Sequence, residues 1–107
     1  MVKLLFATSG TPEQLLEHLR RFRDHASARW RAVEAVFRPY LAGDEPFPER
    51  THVNVLAATL VLETARAEAE WADRAREEVL TWRTTTSPEH RAVAYEALRA
   101  ALDAGEP

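Results

Sequence analysis

Apolar residues in the first half of the chain fall at Leu15, Leu19, Phe22, Ala26, Trp30, Val33, Phe37 and Tyr40, in steps mostly of three and four. Such a stripe predicts one long amphipathic helix with a coiled-coil-like seam, running from Pro12 to about Leu41. Its start is well marked. Thr11 is a good N-cap, Pro12 suits the first helical position, and Gln14 completes a capping box after the turn that Gly10 allows. Near the other end, Pro39 is expected to kink or stop the last turn.

A second stretch, 53–82, contains no Gly and no Pro and predicts a helix about 45 Å long. Its character changes along its length. From Val53 to Leu62 only Asn54 and Thr59 are polar, which predicts a half covered on several sides. Beyond Glu63 the apolar set thins to a seam of Ala67, Trp71, Ala75, Val79 and Trp82. Between the two helices, 42–47 holds Gly43, Asp44 and Pro46, all breakers, and Pro48 with Glu49 suits the opening of the second helix. So short a loop predicts that the helices fold back as an antiparallel hairpin.

Three further segments complete the pattern. Segment 2–7, VKLLFA, is too short for periodicity to separate strand from helix. Residues 84–86 form a polar linker, and Ser87, Pro88 and Glu89 signal another helix start. That last helix carries Val93, Ala94, Ala97, Leu98, Ala101 and Leu102 on one face and stops before Gly105. It is expected to dock on the first helix, the second helix or a partner.

Composition narrows the class. At 107 residues, with 46% hydrophobic and 29% charged residues, the chain suits one domain with a modest core, and its alanine richness and scarce glycine point to an all-α fold. The absence of cysteine excludes disulfides and thiolate metal sites. No signal peptide is visible and no run reaches the length of a membrane span, so a cytoplasmic location is expected. A net charge of −3 argues against a nucleic-acid-binding surface. Charge is also uneven: six arginines lie between Arg20 and Arg38, and six acids between Glu63 and Glu78. The simple reading is complementary faces on two antiparallel helices.

Candidate chemistry is sparse. His18 and His25 lie two turns apart on one helix, about 10 Å, too far to share a metal ion. Glu63, Glu70 and Glu77 recur every seven residues and read as a solvated heptad position rather than as acid–base partners. Ser9, Ser27 and Ser87 lack a nucleophile's neighbours, and no glycine-rich phosphate loop is present. No catalytic residue, metal ligand or cofactor is therefore assigned. The aromatic residues carry more signal, because rings set against small alanines can leave a flat apolar slot for an aromatic ligand. On that ground Trp71, Trp30, Phe37, Ala67 and Tyr40 are the candidate ligand-binding residues. Plain packing is the competing role for each.

The stretch VKLLFATSGTPEQLLEHLRRFRDH, and later LAATLVLETARAEAEWADRAREEV, resembles the C-terminal helical domain of PadR-type transcriptional regulators. The matching positions are Leu4, Leu5, Phe6, Pro12, Glu13, Leu16, Leu19, Leu60, Glu63, Glu70 and Trp71. The resemblance spans 2–82 and leaves 83–107 as an extra C-terminal helix. It implies a homodimer formed by this domain, an aromatic or drug-like effector that relieves repression, and a winged-helix DNA-binding domain preceding it in the family. Nothing here corresponds to that winged helix. The chain is thus expected to be either an excised domain or a stand-alone relative without DNA contacts of its own.

The expectation is therefore a single domain over 1–107. It is an antiparallel hairpin of two long helices with a short N-terminal segment and a C-terminal helix, forming a homodimer that binds an aromatic small molecule. A stand-alone protein that sequesters a metabolite or a regulator subunit is the alternative, and an enzyme using an interhelical pocket is the third class.

Overall fold

The computed structural model describes residues 10–82 and 88–107. Within them every regular element is helical. α1 (Pro12–Phe37) is followed by two short 3-10 helices (Arg38–Ala42 and Pro48–Arg50), then α2 (Thr51–Val79) and α3 (Pro88–Asp103). The expectations for segment 2–7, for the linker 84–86 and for the Ser87 cap lie outside the described residues.

α1 starts where its capping residues put it. Thr11 is extended, and its Oγ1 accepts the Gln14 backbone N–H at 3.1 Å. The Gln14 side chain reaches back to accept the Gly10 N–H at 2.8 Å, one residue earlier than a capping box usually reaches. The helix stops at Phe37, short of the expected Leu41. Pro39 has no N–H to continue the ladder, so the chain tightens into the 3-10 helix Arg38–Ala42. Gly43, at φ 85, closes that turn by donating its N–H to the Tyr40 carbonyl at 3.0 Å.

α2 begins at Thr51 and ends at Val79, so Trp82 lies just beyond the helix instead of closing it. Its Thr59 and Thr64 hydroxyls donate back to the carbonyls of Leu56 (2.9 Å) and Leu60 (2.7 Å), which leaves no hydroxyl donor free on that face. α1 and α2 pack together as a hairpin, and the whole chain extends over 57 × 30 × 25 Å. Two ion pairs tie the helices across their length. Arg23 Nε donates to Asp73 Oδ1 at 2.7 Å, and Arg29 Nη2 to Glu68 Oε2 at 3.1 Å. Two of the six arginines of the basic run thus meet acids of α2, whereas Arg20, Arg21 and Arg38 pair with acids of α1 itself.

The buried residues among those described are Leu19 and Ala26 of α1 and Ala58, Ala65, Ala72 and Val79 of α2. This corrects the expected seam on α2. Of Ala67, Trp71, Ala75, Val79 and Trp82, only Val79 is buried. The alanines at 58, 65 and 72 recur every seven residues and face α1, because a small side chain at every heptad lets the backbones approach closely. An indole has no room in that row, so Trp71 is turned to the flank, 40% exposed. The first half of α2 departs from expectation too. Leu56 and Leu60 are 73% and 67% exposed and Val53 is also exposed, because α1 covers a single face of this helix.

α3 lies clear of both long helices and is exposed over residues 91–107. It meets the hairpin where the His90 ring sits 5.5 Å from that of Trp82. No helix among the described residues is long and apolar enough to cross a membrane.

Candidate functional site

The 3-10 helix after α1 sets the first half of the candidate site. By folding the chain back tightly after Phe37, it places Tyr40 against the Phe37 ring, with centroids 4.7 Å apart. These rings, Trp30 and Leu41 form one wall of a depression of about 230 Å³, and Val55, Ala58 and Leu62 of α2 form the other. Glu34 and Arg38, ion-paired to each other one helical turn apart, stand at its rim with Thr59. The lining is thus apolar and aromatic, with charge only at the edge. The volume lies just below the roughly 300 Å³ at which drug-sized pockets begin, and so suits a single small ring.

Trp30 also borders a second depression, of about 320 Å³, between Arg23, Ser27 and Arg31 of α1 and Ala65, Arg66, Glu70 and Asp73 of α2. Three of its polar groups hold one another. Asp73 is held by Arg23, and Arg23 Nη1 also donates to the Ser27 hydroxyl at 3.1 Å.

Of the five residues singled out in the sequence, Trp30, Phe37 and Tyr40 are brought together in the apolar depression. Trp71 and Ala67 lie elsewhere. Trp71 meets Phe22 edge-on at 5.6 Å, and Ala67 is exposed. The antiparallel register explains this. Trp71 lies thirteen residues beyond Ala58 on one helix, about 20 Å along the axis, whereas the Phe37 end of α1 lies opposite Ala58. Val55, Leu62 and Leu41 were missed by the sequence reading. A heptad interval between Val55 and Leu62 was the signal available for the two on α2; none marked Leu41.

Among the described residues no group of three or more His, Asp or Glu could hold a metal ion. The one strongly perturbed acid among the described residues is Glu17, on exposed surface near the start of α1. The guanidinium of Arg20 hydrogen-bonds its carboxylate and Arg21 adds to the attraction, which lowers its pKa from 4.5 to about 2.

A family model described as Virulence activator alpha C-term matches residues 1–79, most of the chain, ending on the last residue of α2. The chain belongs to this family. It is a helical C-terminal domain of the PadR-like virulence activator alpha type, and α3 lies beyond the matched region. Neither the curated proteins nor the solved structures give a match.

Proposed function

We propose that this virulence-activator-type C-terminal domain acts as a dimerising module that senses a small aromatic effector. The observation carrying this reading is a mismatch between surface and core. The accessible surface is 8593 Å², whereas a folded monomer of 12.1 kDa is expected to expose about 6,000 Å². The radius of gyration, 18.4 Å, likewise exceeds the ~13 Å of a compact chain of this length. The excess of about 2,500 Å² is about three times the ~800 Å² that each partner buries in an ordinary stable complex. The exposed surface includes large apolar side chains, with Val53, Leu56 and Leu60 in one row on the face of α2 turned away from α1. Burial between two copies removes that liability.

The effector would occupy the depression framed by Trp30, Phe37 and Tyr40. It is lined at once by α1, the 3-10 helix and α2, so a ring bound there would stiffen the hairpin's closed end. Light scattering on the chain at micromolar concentration tests association; a strictly monomeric mass removes the dimer. Titration with a panel of simple phenolic acids, followed by tryptophan fluorescence and calorimetry, tests sensing. Binding is expected to weaken at least tenfold in Phe37→Ala and to persist in Trp71→Ala. Equal affinity of Phe37→Ala and the parent would remove this site.

A further inference from the structure

Among the described residues two apolar rows stand exposed. One is Val53, Leu56 and Leu60 on α2, and the other is Leu98 and Leu102 on α3, 54% and 69% exposed and flanked by Ala94 and Ala101. We propose that these rows cover each other between copies: α3 of one protomer docks in trans on the first half of the partner's α2. This rests on the dimer reading above and adds which parts of the two chains meet.

Reach excludes the same pairing within one chain. The His90 ring is held 5.5 Å from Trp82, just past the end of α2. From His90 to Leu102 a helix advances only about 18 Å, whereas Leu60 lies about 28 Å and Val53 about 39 Å back along α2 from Val79. With its start anchored there, α3 stops short of its own row. In a two-fold arrangement with the α2 helices antiparallel, the start of the partner's α2 lies beside the end of this one. The partner's Val53, Leu56 and Leu60 then come within the span of α3.

Charge selects the same arrangement. Residues 51–62 of α2 carry no Asp, Glu, Lys or Arg, whereas 63–79 carry six acids against Arg66, Arg74 and Arg76. An antiparallel pair lays the charged half of each helix along the neutral half of the other. A parallel pair would set two acidic halves side by side, which is unfavourable. The row itself has no unspent hydroxyl, because Thr59 and Thr64 bond back to their own helix. The surface excess of about 2,500 Å² leaves room for both an α2–α2 contact and the docked α3.

The chain has no cysteine, so engineered pairs report without background. Leu60→Cys and Leu98→Cys are placed on separate full-length chains, mixed and mildly oxidised. A covalent species joining one chain of each kind is expected, in excess over either self-linked product. A chain carrying both cysteines should give linked dimers; a closed monomer would show docking in cis and overturn the proposal. In parallel, sedimentation compares the parent with Leu98→Asp/Leu102→Asp, positions exposed enough to leave the helix content of the monomer unchanged. At least tenfold weaker self-association is expected. A monomeric parent would sink both the dimer and this docking. A dimer weakened by Leu56→Asp/Leu60→Asp but not by the α3 variant would keep the dimer and assign its cover to another part of the chain.

Discussion

Phe22 and Trp71 meet edge-on, ring centroids 5.6 Å apart and planes at 80°. This contact joins the early part of α1 to the late part of α2 and, with the Arg23–Asp73 and Arg29–Glu68 pairs, marks the antiparallel register. It also separates Trp71 from the Phe37 end of the hairpin. An aromatic pair in this geometry contributes beyond the area it buries, so a double-mutant cycle over Phe22→Ala and Trp71→Ala should return a coupling of about 0.5–1.5 kcal/mol. Urea unfolding followed by circular dichroism measures it. Strict additivity of the two substitutions would show that the rings pack independently.

How far the sequence could reach is clear at these same residues. Thr11, Pro12 and Gln14 announce the start of α1 because capping chemistry is local. The opposed arginine and acid runs announce the pairing of the helices because charge complementarity needs no exact register. The seam of α2 is different. Alanine stands at 57, 58, 65, 67, 69, 72 and 75, so several rows look alike, and composition does not say which row meets α1. Only the length of the loop and the heptad interval of 58, 65 and 72 single out the buried one. The ligand candidates failed to assemble as one set for the same reason: grouping by residue type ignored the 20 Å or so that register sets between Trp71 and Phe37. The cover of α3 was illegible because one amphipathic face of Val93, Leu98 and Leu102 does not say which surface it meets.

The alanine row yields a sharp contrast. Ala65 is 1% exposed between the helices, whereas Ala67 stands on the outer face. Ala65→Leu forces extra volume into a close helix contact and should destabilise the monomer by about 1–3 kcal/mol. Ala67→Leu should leave the monomer's stability unchanged to within about 0.5 kcal/mol, as substitutions on open surface usually do. Chemical denaturation at a concentration low enough to avoid self-association compares them.

Exposed ion pairs contribute little even when well placed. The Arg23 and Asp73 side chains are each close to half exposed. Their coupling, from a cycle over Arg23→Ala and Asp73→Ala, should lie at about 0.2–1 kcal/mol and fall further in 1 M salt. A coupling that does not respond to salt would mean that packing of the arginine stem, not charge, joins the helices there.

Acid should weaken one contact at the start of α1. Glu17 is held at about 2, chiefly by its hydrogen bond with Arg20, against 4.5 for the free side chain. A carboxyl with a depressed pKa in the folded chain binds its proton more readily once unfolded. Its contribution to stability is therefore complete above about pH 4.5, declines as the pH falls below that value, and is gone below about pH 2. Because the group is on open surface the effect is small, and it is best read as a difference. The gap in thermal midpoint between the parent and Glu17→Gln should be constant from pH 7 to pH 5 and should narrow through the 4.5-to-2 window. A carbon-detected titration of the Glu17 carboxyl gives the same answer directly, with its midpoint near 2. A midpoint close to 4.5 would show that Arg20 and Arg21 do not hold the carboxylate in solution.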